Sequence, residues 1–188
     1  MLLVEKRKEK NEFLEWVKVI GIAILFVGGV RFFLFTPIVV DGASMMPTFE
    51  DGDRVVVNKI GPQLVGYERF DVIVFEADKD TNYIKRIIGL PGDRIAYKND
   101  ELFINDEKQE EPYLEEFKKA KGILTGNFTL EELLDEVTVP EGHYFVLGDN
   151  RLNSIDSRDP RVGFVPEEEI LGTAKVIILP LDNVKILK

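Results

Sequence analysis

Residues 13–35 (FLEWVKVIGIAILFVGGVRFFLF) are almost all apolar, and nine residues past their end a serine sits in Asp41-Gly42-Ala43-Ser44-Met45-Met46-Pro47-Thr48. As a helix the run rises about 34 Å, enough to cross a hydrocarbon layer of about 30 Å. Lys18 and Arg31 lie near its ends, where long cationic side chains snorkel to an interface. Trp16 suits one interface and Phe32, Phe33 and Phe35 the other. The basic cluster Lys6-Arg7-Lys8-Glu9-Lys10 precedes the run. The positive-inside rule then places residues 1–12 in the cytoplasm, 13–35 as a transmembrane helix and 36–188 outside. At about 3.3 Å per extended residue, Ser44 lies at most about 30 Å from Phe35, so its chemistry takes place near the membrane surface. Two other readings stay open: a cleaved signal peptide with Val19–Val30 as its apolar core, and a buried core helix.

The remaining length suits one soluble domain with a substantial core. Of the 188 residues, 45% are hydrophobic and 31% charged, which fits a folded chain. The chain has no cysteine, which excludes disulfides, thiolate zinc sites and cysteine nucleophiles. The net charge of −10 is unevenly spread: residues 1–40 hold six Lys/Arg against four Glu, and residues 41–188 hold 18 basic and 30 acidic residues. A domain at −12 is a poor partner for nucleic acid, and its acidity reads as a solvated surface.

Past the apolar run the texture changes to short strand-like segments with turn punctuation. The expected strands are Arg54–Asn58, Asp71–Phe75, Tyr83–Ile88, Asp93–Tyr97, Glu101–Ile104, Tyr144–Leu147 and Ala174–Leu179. Lys98-Asn99-Asp100 reads as a hairpin turn and Leu90-Pro91-Gly92-Asp93 as a tight turn. Thr129-Leu130-Glu131-Glu132 has capping-box spacing and starts the one helix expected in the domain. Residues 105–136 read as an exposed excursion carrying that helix, with 105–128 charged and broken by Pro112, Gly122 and Gly126. The pattern predicts a mainly β protein, an irregular antiparallel fold rather than a regular sandwich.

Few groups here can do chemistry. The lone His143 sits in a Pro-Glu-Gly-His turn, the setting of a surface residue, so a Ser-His-Asp triad lacks its base. No metal site is expected, because several His or Cys ligands would be needed. If Ser44 is a nucleophile, a lysine must take its proton. A free lysine titrates near 10.4, so its pKa must drop by roughly two to three units, which only apolar burial away from carboxylates achieves. Most lysines lie among acidic residues; Lys85 lies in Tyr83-Ile84-Lys85-Arg86-Ile87-Ile88-Gly89, sharing a strand face with Tyr83 and Ile87. On this run alone, an edge lysine with its ammonium in water is the favoured reading. A third segment, Gly148-Asp149-Asn150-Arg151-Leu152-Asn153-Ser154-Ile155-Asp156-Ser157-Arg158, has enough short polar groups to build a buried scaffold fixed by Asp–Arg pairs.

Taken in order behind the apolar run, these segments, with Asp51-Gly52-Asp53 and Leu90-Pro91-Gly92-Asp93, closely resemble bacterial type I signal peptidase over nearly the whole chain. The resemblance implies a membrane-anchored serine endopeptidase that removes signal peptides from preproteins. It implies Ser44 as nucleophile, Lys85 as general base, Ser154 as the serine that positions the lysine, and Asp149, Asp156 and Arg158 as bracing residues. It implies a catalytic core shared with self-cleaving LexA-type repressors, and the short form typical of Gram-positive bacteria. No cofactor is implied; preprotein signal peptides and membrane lipid are the partners. Where some members carry a serine that helps bind the oxyanion, this chain has Gly42, so the Ser44 N–H is the first donor and the second is open. Val40, Ala43 and Ile84 flank the reacting groups and are expected to line shallow pockets for small side chains. A LexA-like self-cleaving regulator and an anchored β-domain that only binds partners are the rival readings.

Overall fold

The computed structural model describes residues 12–78, 81–180 and 184–186. The basic cluster 6–10 lies outside them. Helix α1 (Glu12–Leu34) runs directly into strand β1 (Phe35–Val39), followed by β2 (Arg54–Asn58) and a one-turn helix α2 (Gly61–Val65). Then come β3 (Val72–Asp78), β4 (Thr81–Gly89), β5 (Ile95–Lys98), β6 (Glu101–Ile104) and β7 (Glu107–Gln109). A 3-10 turn (Pro112–Leu114) leads into α3 (Glu115–Lys121), β8 (Phe128–Thr129) and α4 (Leu130–Leu134). Strands β9 (His143–Leu147), β10 (Val165–Pro166), β11 (Ile170–Leu179) and β12 (Lys185–Ile186) complete the order.

Among the described residues these strands make two antiparallel sheets. The larger runs β1-β2-β11-β3-β4-β9-β10, with β12 against β11; the smaller runs β7-β6-β5-β8. The mainly β, antiparallel expectation therefore stands. All seven expected strands form, with ends shifted by a few residues. Strands β3 and β4 lie inside the larger sheet, which explains why both read as apolar runs rather than as a simple alternation. Their register pairs Val74 with Ile84, Ile73 with Lys85 and Phe75 with Tyr83. Directly opposed residues share a face. Val72, Val74 and Ile84 thus join Val40, Met45, Phe49, Val55, Val57, Ala174 and Ile177 in one core. Ile73, Phe75 and Ile87 join Tyr144, Val146, Val165 and Ile170 in another. A third core, built on Ile88, Ile95, Tyr97, Leu102, Phe128, Leu130 and Phe145, joins the two sheets.

The local signals act as their chemistry requires. Asn99 and Asp100 take positive φ (53° and 65°), the primed turn that matches strand twist in a two-residue hairpin. Asp93 N–H donates to Leu90 O at 3.0 Å, closing the Leu90–Asp93 turn with Gly92 at φ 85°. Thr129 caps α4 in a full capping box: its side chain accepts from Glu132 N–H, and the Glu132 carboxylate accepts from Thr129 N–H.

One expectation changes. Residues 105–128 are exposed only in part: Glu111, Leu114, Leu124 and Thr125 are buried, and α3 is a helix that the charge pattern did not suggest. The stretch read as a membrane span coincides with α1, whose Phe13, Trp16, Val19, Ile22 and Leu25 side chains are exposed. Among the described residues, however, no helix is long and apolar enough to cross a membrane.

Candidate active site

Ser44 lies on the tight loop between β1 and β2. The loop is closed at its base by Val40 N–H to Asp53 O (2.8 Å) and Gly52 N–H to Val40 O (2.9 Å). Met45 and Phe49, both fully buried, fix it to the core beneath. Asn150 holds it from the other side: its backbone N–H donates to Ser44 O at 3.0 Å and its side-chain amide to Ala43 O at 2.9 Å. The loop that carries Ser44 is therefore pinned by main-chain bonds at both ends and by packing below.

Lys85 approaches from β4. Its Nζ lies 2.9 Å from Ser44 Oγ and 2.9 Å from Ile84 O, and 5.0 Å from the centre of the Tyr83 ring. The residue is only 3% exposed, because its strand face is the one shared with Ile73, Phe75, Tyr83 and Ile87. Burial disfavours the ammonium and holds the Lys85 pKa down to about 8, against a weaker opposing pull from Asp156 and Asp149. Those carboxylates are occupied elsewhere. Asp149 accepts from Arg86 Nε (2.9 Å), Arg86 Nη2 (2.6 Å) and Thr48 Oγ1 (2.5 Å). Asp156 takes Arg158 in a bidentate pair at 2.8 Å and accepts from Gly148 N–H at 3.0 Å. The reading of a water-exposed edge lysine is thus set aside by burial.

The two groups open onto a cavity of about 580 Å³. Val40, Ala43 and Ile84 all line it, as do Tyr83, Leu152 and Ser154. Ser154 reaches the site, but its buried Oγ makes no hydrogen bond, so the expected bond to Lys85 is not formed; Ile84 O and Ser44 Oγ occupy the amine instead. Gly42 N–H donates to Asp51 Oδ1 at 2.8 Å. Its φ of 90° explains the glycine. His143 stands at the start of β9 with Nδ1 beside Glu141 O, and it does not line the cavity. Among the described residues, no group of three His, Cys, Asp or Glu side chains converges as a metal site.

Sequence reasoning passed over Arg86, Thr48, Asn150 and the Glu111–Arg151 pair. One signal was available for Arg86: a charge inside Ile84-Lys85-Arg86-Ile87-Ile88 must be buried, and a buried guanidinium requires a carboxylate.

Residues 13–179 match the family model described as signal peptidase, peptidase S26. The chain belongs to this family. A signal peptidase I of Bacillus caldolyticus is 52% identical over 153 residues, spanning 80% of this chain and 83% of that one. Signal peptidase I T of Bacillus subtilis strain 168 is 42% identical over 184 residues, 95% of this chain and 92% of that one. Signal peptidase IB of Staphylococcus aureus is 42% identical over 182 residues, 94% of each. The crystal structure of a signal peptidase I from Enterococcus faecalis V583 superposes with a TM-score of 0.53 at 42% identity, over 57% of this chain and 95% of that one. As a member of the S26 family the chain is a peptide hydrolase. The serine and amine drawn together at 2.9 Å are groups of the kind peptide hydrolysis needs.

Proposed function

We propose that this S26 peptidase removes signal peptides from preproteins at the outer face of a membrane, with Ser44 as nucleophile and neutral Lys85 as general base. The observation that carries the reading is the 2.9 Å approach of a buried amine to the serine hydroxyl. Lys85 takes the Ser44 proton as Oγ bonds to the scissile carbonyl carbon. The Ser44 backbone N–H stabilises the oxyanion that forms. The Lys85 ammonium then hands its proton to the leaving amine as the C–N bond breaks, leaving an acyl-enzyme. Water, losing a proton to Lys85, attacks the ester carbon, and the proton returns to Ser44 Oγ as the signal peptide departs.

Ser154, whose buried Oγ makes no hydrogen bond in the resting site, turns to accept one from the Lys85 amine and so orients it during these transfers. Asp149, Asp156 and Arg158 brace the loop that carries it. Val40, Ala43 and Ile84 shape shallow pockets that admit small side chains before the cut. The substrate lies extended along the Thr81–Lys85 stretch. Among the described residues that stretch pairs with β3 on one side, while β9 begins its pairing only at Arg86.

Residues 13–35 cross the membrane, with the N-terminus in the cytoplasm and residues 36–188 outside. The apolar composition of residues 13–35, the basic cluster before them and the interfacial aromatics support this topology. Membrane lipid is then a standing partner, and the site meets a signal peptide that arrives already in the bilayer. The test is cleavage of a preprotein by the purified full chain, beside Ser44→Ala and Lys85→Ala. Loss of at least about 10³-fold in both is expected; full activity in either rejects the pair. Retention of the full chain in membranes after alkaline extraction, against release, tests the anchor.

A further inference from the structure

A second polar centre lies behind the nucleophile loop, and nothing in the chemistry above uses it. Arg151 is fully buried, and its Nη2 meets Glu111 Oε1 at 2.5 Å. Glu111 Oε1 also accepts from Tyr97 Oη at 2.8 Å and Tyr113 Oη at 2.9 Å. Arg151 Nη1 donates to Tyr97 Oη (2.6 Å) and Thr125 Oγ1 (3.3 Å). The second oxygen of Glu111 accepts no hydrogen bond and lies 3.8 Å from Lys118 Nζ. Four of these partners, Glu111, Tyr113, Lys118 and Thr125, belong to the charged segment 105–128; Tyr97 belongs to the smaller sheet.

From Arg151 the connection to the site is short. Its Nε donates to Gly148 O at 3.1 Å. A Cβ on Gly148 would stand 2.6 Å from Ser44 O, so the backbones at 148 and 44 are in close packing. The residue before Arg151 is Asn150, which donates to both Ser44 O and Ala43 O. A guanidinium held on one side by Glu111 and on the other by Gly148 O therefore sets the height of the chain that presses on the nucleophile loop.

We infer that Glu111 is a positioning residue for the nucleophile: through Arg151 it clamps Gly148 and Asn150 against the backbone of Ser44. The segment 105–128 is then part of the catalytic apparatus rather than a surface insertion. The inference rests on Ser44 being the nucleophile.

Preprotein cleavage by the full chain tests it, comparing Glu111→Gln, the double variant Glu111→Gln/Arg151→Met, and Ser44→Ala, with melting temperature recorded for each. Glu111→Gln keeps shape and an acceptor but leaves the Arg151 charge unpaired, so its melting temperature falls. The double variant removes both charges and so restores stability, as apolar replacement of a buried pair does. The clamp predicts kcat lowered about tenfold or more in both variants, with KM within about twofold, because positioning acts on the reacting geometry and not on substrate affinity. If the double variant recovers kcat along with stability, the pair serves only charge balance and the clamp is rejected. Unchanged kcat in folded Glu111→Gln, or a rise confined to KM, also rejects it. An active Ser44→Ala instead overturns the nucleophile assignment itself, whatever Glu111 does.

Discussion

Lys85 Nζ contacts Ser44 Oγ and Ile84 O at 2.9 Å each, and among the described residues no carboxylate shares its hydrogen-bond shell. An amine so placed destabilises the fold while it carries its charge. Its pKa is lowered to about 8 by burial. The unfolded chain keeps its proton up to about 10.5, so between about 8 and 10.5 the unfolded state binds more protons and stability rises with pH. Below about 8 the folded state bears the full penalty. Lys85→Met, similar in length and uncharged, is expected to raise stability at pH 7 by about 1–3 kcal/mol while abolishing cleavage. Denaturant unfolding at pH 7 checks the first effect; equal or lower stability contradicts it.

Arg86 is only 3% exposed and, among the described residues, its charge is matched by Asp149. Asp149→Asn leaves a buried guanidinium without a counter-charge, at a loss of about 3–5 kcal/mol. For a domain of this size that lowers the melting temperature by about 10 °C. Thermal unfolding followed by circular dichroism measures it; a shift under about 2 °C would mean the pair is dispensable.

Gly148 has no room for a side chain. An added Cβ meets Ser44 O and Ser154 Cβ at 2.6 Å, so backbone at Ser44 must move. Gly148→Ala is expected to keep the fold and lose about 10²-fold or more in kcat, the scale of a misplacement near 1 Å. Steady-state cleavage kinetics give the answer.

Thr129→Ala removes the cap of α4 and lowers stability by about 1 kcal/mol. Cleavage below the melting temperature should be unchanged, since the cap touches none of the reacting groups. Loss of cleavage in this variant would link α4 to the site.

What the sequence disclosed was what acts locally. The Thr129 cap, the Asn99-Asp100 hairpin and the Leu90–Asp93 turn are fixed by residues within a few positions, and each formed. The faces of β4 follow from its period of two, which put Lys85 beside Tyr83. The short strands β7, β8, β10 and β12 carry too few residues for a pattern, and they exist because longer strands offer them edges. The pairs Arg86–Asp149 and Arg151–Glu111 join residues 63 and 40 positions apart, a distance no local spacing reports. Gly42 stands where some family members carry an oxyanion serine, and the bond from its N–H to Asp51, nine residues on, is another contact that spacing did not report. Ser154 was expected to bond Lys85; its place in the cavity was legible, but the hydrogen bond was not, because Ile84 O supplies the acceptor from the strand itself.

The pH dependence of kcat/KM for preprotein cleavage tests the central claim most directly, since it reports the protonation of the free enzyme. Activity should rise with pH along a single-proton curve with its midpoint near 8, where the buried Lys85 amine becomes neutral. A midpoint near 10, the value of a lysine in water, would contradict the account.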